Sequence, residues 1–423
     1  MSTAQYIFTK NIILIEENAI IEQIETYTLD LLKMYIKRKI FNKFKNLLTQ
    51  YPVITLMGPR QSGKTTFVKQ ALPHFSYVNL EDPTTRELIA SDPKAFFSQH
   101  PHGLIIDEIQ RMPELLPYIQ VRVDAEPRHI GFFVLTGSYQ FELHQAVSQS
   151  LAGRTALLTL LPLSLDELGI PRYSPVIDQL LLQGFYPRIY QKQLHASEFY
   201  RYYMQSYVER DIHQLIHVRD LTIFQKFLKL CAGRIGQVIN YHTLSNEVGV
   251  SATTIREWIS LLEASYIIIR LNPYVENFGK RVIKSPKLYF TDVGFASFLL
   301  DIETEQQMAR DPLRGHLFEN MVILDIMKRY YYQGKQAPLY YYRDQHGNEV
   351  DLIIKIGHQF VAIEIKSSTT FSHSFLKGLH YFQKVVDKRY AKGCIVYGGD
   401  VEQHIENNQL ISFAHVELVM PED

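Results

Sequence analysis

The sequence predicts an α/β fold built in blocks, and three observations carry that expectation. A chain of 423 residues has room for about three domains at roughly 150 residues each. From Val53 to about Leu160, short apolar runs alternate with helical stretches, the rhythm of a parallel sheet covered by helices. After Arg314 the pattern reads helix, three strands, helix and two further strands, a second α/β block. Composition agrees: 46% of residues are hydrophobic and 21% charged, enough for more than one core.

Lys plus Arg and Asp plus Glu both number 44, so any attraction to nucleic acid or membrane must be local. The two cysteines, Cys231 and Cys394, cannot build a disulfide framework or a thiolate zinc site, and a reducing cytoplasm is the expected compartment. No apolar run approaches the roughly 20 residues of a membrane helix. A basic segment followed by an apolar leader is also missing from the N-terminal stretch.

Taken in order, residues 1–30 carry Lys10 against Glu16, Glu17, Glu22, Glu25 and Asp30. Residues 31–50 then carry Lys33, Lys37, Arg38, Lys39, Lys43 and Lys45 with no acid. There Ile36, Ile40, Phe44, Leu47 and Leu48 recur at helical spacing, which predicts a helix packed on the next domain with a solvated basic face. Strands are expected at Val53–Met57, Ser76–Leu80, Leu104–Ile106, Phe132–Leu135 and Ala156–Leu160. Leu163 to Phe298 reads as mostly helical. Within it, helix Thr243–Val248, turn residue Gly249 and cap Ser251 lead to a face of Ile255, Trp258, Ile259 and Leu262. The apolar strand Tyr266–Leu271 that follows makes this a winged-helix pattern. His213 to Phe290 holds ten basic residues against five acidic, a mild bias toward nucleic acid. The acidic tail from Gly399 reads as a final strand.

Gly58-Pro59-Arg60-Gln61-Ser62-Gly63-Lys64-Thr65-Thr66 fits the G-x-x-x-x-G-K-[ST] pattern, with an apolar strand before it and a helix after. Glycines let the backbone turn so that successive N–H groups face phosphate oxygens. Lys64 supplies charge to the β and γ phosphates, and the Thr65 hydroxyl can ligate Mg²⁺. The second half of such a site is Leu104-Ile105-Ile106-Asp107-Glu108, an apolar run ending in two carboxylates at the ligand edge of a parallel sheet. Asp107 is placed to hold Mg²⁺ and Glu108 to activate the attacking water. Ser138, in Thr136-Gly137-Ser138, ends the next strand and is placed to sense the γ-phosphate.

In the last block, Gly357-His358 between two apolar runs signals a two-residue type II′ hairpin. That turn sets Asp351 opposite Glu364. Period-two alternation then brings Glu349, Asp351, Glu364 and Lys366 to one face. Carboxylates this close repel one another unless a divalent cation or a lysine compensates.

These motifs resemble those of AAA-like P-loop ATPases. They are most similar to a prokaryotic family with G-P-R-Q-x-G-K-T-T, L-E-D, D-E-I-Q-R-x-P and L-T-G-S elements, matched by Gly58–Thr66, Leu80–Asp82, Asp107–Pro113 and Leu135–Ser138. The family's Leu-x-Gly-Arg element is matched by Leu151–Arg154, which makes Arg154 a candidate to stabilise charge on the transferring phosphoryl group. Its Gly-Gly-aromatic-Pro element is kept in part, as Gly184-Phe185-Tyr186-Pro187. The last block resembles the PD-(D/E)xK nuclease fold, with Asp351 and Glu364-Ile365-Lys366 as its motif. The resemblance adds Glu319 from the preceding helix, implies that Glu319, Asp351 and Glu364 bind a second Mg²⁺ or Mn²⁺, and implies that Lys366 assists catalysis.

The resemblance covers most of the chain from Met34 onward. It implies an AAA-like ATPase core at 34–162, a helical lid at 163–225, a winged-helix region at 226–300 and a restriction-endonuclease-like α/β domain at 313–423, after an N-terminal extension at 1–33. ATP and Mg²⁺ are the implied cofactors, with DNA or a protein as partner and no membrane. The leading expectation is an ATP-binding and hydrolysing ATPase coupled to the nuclease-like domain and acting on or with DNA; the alternative is a regulatory ATPase switch whose nuclease-like domain binds protein or nucleic acid without cutting.

Overall fold

The computed structural model describes residues 36–126, 130–138, 149–169, 177–212, 221–275 and 282–420, with the backbone alone at 209–212. The extension at 1–33 lies outside them. The chain divides into two units, Met1–Lys37 and Arg38–Asp423, and the elements named here belong to the second.

Helix α1 (Phe41–Leu48) turns Phe44 and Leu47 inward. Phe44 meets Phe67 edge-on with ring centroids 5.1 Å apart, in a core shared with Ile54, Leu56, Val68 and Leu158. Truncating such a buried ring typically costs about 3–5 kcal/mol. Helical spacing predicts a solvated basic face here, but Arg38, just ahead of the helix, is 4% exposed.

Strands β1 (Val53–Met57), β2 (Ser76–Asn79), β3 (Leu104–Asp107), β4 (Phe133–Gly137) and β5 (Thr155–Thr159) form one sheet in the order β2-β3-β4-β1-β5. Every pairing in it is parallel. β1, β3 and β4 are buried along their whole length, as strands covered on both faces must be. Helix α2 (Lys64–Ala71) follows β1 through the phosphate loop.

The middle block contains α3 (Leu221–Ala232), α4 (Tyr241–Val248) and α5 (Ala252–Ala264). Trp258 packs on Phe224 and Phe227 at 5.5 and 5.1 Å between ring centroids. Gly249, with φ of 90°, closes α4, and the Ser251 hydroxyl accepts from Thr254 N at α5. An antiparallel pair follows, β6 (Ile268–Leu271) with β7 (Lys287–Phe290). β6 starts two residues later than expected because Tyr266 adopts a φ of 55° to leave α5.

Helix α6 (Arg314–Tyr332) leads into β8 (Leu339–Arg343), β9 (Glu349–Ile356), β10 (Gln359–Lys366), helix α7 (Lys377–Val386), β11 (Tyr390–Tyr397), β12 (Gln403–Ile405) and β13 (Asn408–Ser412). Their mixed sheet runs β12-β13-β11-β10-β9-β8. The tail, expected as one strand, is a hairpin because Glu406 takes a φ of 56° and reverses the chain. The β9–β10 register is the one a two-residue turn dictates, from Gln359 opposite Ile356 to Ile363 opposite Leu352. Gly357 has φ of 57° and His358 has none of that left-handed character, as a type II′ turn requires.

Candidate functional site

The phosphate loop leaves β1 at its C-terminal end. Gly58 has φ of 151°, and a Cβ there would collide with Leu160 O of the adjacent strand's extension. Only glycine lets the loop start this close to β5. Lys64 opens α2, and its Nζ donates to Gly58 O and Pro59 O, each at 2.9 Å. Burial pushes this ammonium below the ordinary lysine value, while Glu108 and Asp107 pull it back up. The amine is therefore held by neutral carbonyls inside the loop.

Parallel pairing brings the carboxylates alongside. Thr65 Oγ1 donates to Asp107 Oδ2 at 2.8 Å, and Tyr77 OH to the same oxygen at 2.7 Å. Thr136 Oγ1 donates to the other Asp107 oxygen. Burial first, then the bond to Asp107, pushes the Tyr77 phenol far above its usual range, so it remains a donor. Glu108 sits at φ of 58°. This region is costly for a residue with a Cβ, and outliers of this kind gather at working sites. Its carboxylate accepts from Ser138 Oγ at 2.9 Å and from Gln110 Nε2. Thr65, Asp107, Glu108 and Ser138 thus form one connected set with the loop. Gln110 is a member that sequence reasoning does not single out, although it lies inside the D-E-I-Q run.

Arg154 stands elsewhere. It precedes β5 and binds Asp124 with both arms, at 2.6 and 2.9 Å. Its carbonyl accepts from Val53 N at the start of β1. A five-residue parallel strand therefore separates Arg154 from the loop edge, about 15 Å at the usual rise. Within its own chain Arg154 does not meet the phosphate loop, because parallel strands put their two ends on opposite edges.

The Gly184–Pro187 element lies beside the loop. A Cβ on Gly63 would have Arg38 Nη1 at 3.6 Å and Pro187 Cγ at 3.7 Å, so the Gly184–Pro187 turn flanks the loop. Asp292, another residue the sequence does not mark, anchors that turn by accepting from Phe185 N at 2.6 Å and Tyr200 OH at 2.5 Å.

The second cluster gathers at α6, β9 and β10. Lys366 Nζ lies 2.9 Å from Asp351 Oδ2 and 2.7 Å from Glu364 Oε2. Burial and then the Asp351 carboxylate push Glu364 well above the usual carboxylate range. Burial acts against the Asp351 anion too, but Lys366 and Lys287 outweigh it and hold its pKa low. Gly378 of α7 seals this face, because a side chain there would strike Glu364. Glu319 does join the cluster, but with an unforeseen partner. Lys287 of β7, only 2% exposed, places Nζ 3.1 Å from Glu319 Oε1 and 2.6 Å from Glu349 Oε1. Tyr289 OH also donates to Glu319. The expected metal set of Glu319, Asp351 and Glu364 is thus divided between two ammonium groups. Among the described residues, no three acidic, imidazole or thiol groups are placed to share one ion. Lys287 lies far from the motif in sequence, and nothing local marks it.

A five-stranded parallel sheet with a phosphate loop after β1 and paired carboxylates after β3 defines a P-loop ATPase. A family model described as an AAA domain matches residues 50–169. Two models described as domains of unknown function, DUF8612 and DUF4143, match 175–306 and 314–416. The chain is 30% identical over 372 residues to "Uncharacterized protein Rv2008c" of Mycobacterium tuberculosis, spanning 86% of this chain and 80% of that one. The same figures hold for "Uncharacterized protein Mb2031c" of Mycobacterium bovis. The chain belongs to the family of these proteins, and its first domain is an AAA-type ATPase domain. Among solved structures, the Walker-type ATPase PABY2304 of Pyrococcus abyssi is similar at 15% identity and a TM-score of 0.41, covering 63% of this chain and 96% of its own. AMPPCP-bound DnaA from Aquifex aeolicus is similar at 14% identity and a TM-score of 0.27, covering 53% and 85%. No helix among the described residues is long and apolar enough to cross a membrane.

Proposed function

We propose that the chain is an ATP-driven switch, in which nucleotide binding and hydrolysis at the phosphate loop alter a contact made by the lid, a winged-helix region and a nuclease-like C-terminal module that binds a protein or nucleic acid without cutting it. The observation that carries this reading is the pairing of every acid in the C-terminal cluster with an ammonium group. The domain limits assigned with it are 34–162, 163–225, 226–300 and 313–423.

At the ATPase site the residues suit a magnesium nucleotide. Thr65 and Asp107 present adjoining oxygens 2.8 Å apart, the hard ligands that Mg²⁺ accepts. The ion would neutralise charge on the terminal phosphates. Lys64 exchanges loop carbonyls for phosphate oxygens, the loop N–H groups hold the β-phosphate, and Glu108 takes a proton from the attacking water once Ser138 releases it. At the C-terminal cluster the residues do not suit a metal as they stand, because each acid is already engaged by Lys287 or Lys366.

DNA cleavage is the second reading. It draws on the elevated Glu364, whose proton a cation would replace. Incubating the chain with supercoiled, linear and single-stranded DNA, Mg²⁺ or Mn²⁺, and with or without ATP, separates the two. The switch reading expects ATP turnover with intact DNA. Cleavage that disappears in Asp351→Asn would overturn it.

A further inference from the structure

We infer that Arg38 is a positioning residue for nucleotide binding, one that orients the Gly63 N–H of the phosphate loop from behind. Its guanidinium reaches three segments distant in sequence. Nη1 donates to Ser62 O at 2.8 Å, Nη2 to Leu161 O at 2.6 Å, and Nε to Glu167 Oε1 at 3.1 Å. The side chain is 4% exposed and the Glu167 side chain fully buried, so the pair is shielded from water and salt.

The consequence follows from peptide planarity. Ser62 C=O and Gly63 N–H belong to one trans peptide and point in opposite directions. A charge-assisted bond that draws the carbonyl toward Arg38 turns the N–H the other way, toward the face that receives phosphate. Gly63 is held at φ of 92°, with Arg38 Nη1 and Pro187 Cγ at ordinary contact distance from the place a Cβ would take, so the left-handed backbone and not crowding favours glycine here. A loop without this tether samples flipped peptides and loses one phosphate donor in part of the population.

Glu167 fixes Arg38 in turn. It accepts from Lys39 N at 2.7 Å, Ser164 N at 3.0 Å and Tyr332 OH at 2.7 Å. Tyr332 lies at the end of α6, the helix that also carries Glu319. Asp325 and Lys328 of the same helix bind Leu165 N at 2.8 Å and Leu163 O at 2.6 Å. The segment behind the loop is therefore braced on one side by Arg38 and on the other by α6.

The inference rests on nucleotide binding at Gly58–Thr66, and the test keeps the two apart. ATP and ADP affinities and kcat are measured for the full-length chain and for Arg38→Ala and Arg38→Lys. Because the β-phosphate is common to both nucleotides, Arg38→Ala should weaken ATP and ADP alike by roughly tenfold, raising KM with kcat within about twofold. Guanidinium ion at millimolar concentration should recover part of that affinity in Arg38→Ala and none in Lys64→Ala, which a merely structural role does not explain. If Arg38→Ala fails to fold, Arg38→Lys decides. Lysine keeps the charge but cannot serve three acceptors, so a loss of several-fold for both nucleotides is expected. A folded variant that binds ATP and ADP as tightly as the parent overturns the inference. A parent chain that binds neither nucleotide overturns the ATPase reading instead.

Discussion

The phosphate loop and the C-terminal cluster each combine buried lysine with carboxylates, yet they hold their charges in opposite ways. In the loop, Lys64 is bound by two carbonyls and Asp107 by three hydroxyls. Neutral partners satisfy a charge without cancelling it, so a phosphate or a cation can displace them at modest cost. In the cluster, Lys287 and Lys366 bridge Glu319, Glu349, Asp351 and Glu364 directly. With each carboxylate already engaged by an ammonium group, a ligand must first break an ion pair, and separating such a pair exposes a buried ion. A motif states which charged residues are present; the partners state whether they are available.

The largest effects should fall on the loop. Lys64→Ala removes the point charge on the phosphates and should lower turnover by about a hundred-fold or more, with ATP binding weakened as well. Glu108→Gln should keep ATP bound while turnover falls comparably, and Asp351→Asn should leave both nearly unchanged. A large loss of turnover in Asp351→Asn would show that the two sites are not separable in this way.

Lys287→Met addresses the cluster. It removes the buried cation between Glu319 and Glu349, leaving Glu349 its second partner Arg343, and breaking a buried pair typically costs about 3–5 kcal/mol. If the lysine takes the part of a metal, Mn²⁺ should restore much of that stability in thermal melts of Lys287→Met and leave the parent chain unmoved. Mn²⁺ stabilisation of the parent that depends on Asp351 would return the cluster to the metal-binding class.

Asp344 offers a smaller effect with a defined sign. Burial acts against its carboxylate, but bonds from Tyr381, Asn348 and the Asn348 and His346 amides outweigh it and lower its pKa to about 2. A depressed folded-state pKa contributes stability above the unfolded value near 4, and that contribution is lost as pH falls toward 2. Asp344→Asn should therefore cost about 1–2 kcal/mol at pH 7. Denaturant curves should show the gap to the parent narrowing below pH 4.

Arg154→Ala should have the smallest effect. The arginine pairs with Asp124 at a partly exposed site, where solvent screening leaves an ion pair little weight. Turnover of the monomeric chain should stay within about twofold. A dilution-dependent loss of turnover would place Arg154 against a neighbouring chain's nucleotide.

Some of these features are legible in the amino-acid sequence. The β9–β10 register follows from Gly357-His358, because a two-residue turn leaves one pairing that keeps the alternation intact. The five strands of the first sheet follow from short apolar runs that alternate with helical stretches. Arg38 is a different case: helical spacing assigns it to a solvated basic face, yet that spacing describes α1 and says nothing about the residue just before it. Lys287 is inconspicuous in an apolar strand, and the motif that nominates Arg154 carries no information about sheet edges.

By itself, the sequence determined the strands of the first sheet, the phosphate loop, the carboxylates after β3 and the face shared by Asp351, Glu364 and Lys366. Each depends on backbone geometry over a few residues, where turn type and side-chain period leave few alternatives. Only the tertiary structure decided that Arg38 reaches Ser62, that Lys287 reaches Glu319, and that Arg154 does not reach the loop. Those outcomes depend on which remote segments share a neighbourhood, and Coulomb attraction between buried groups acts through space with no regard to their separation along the chain.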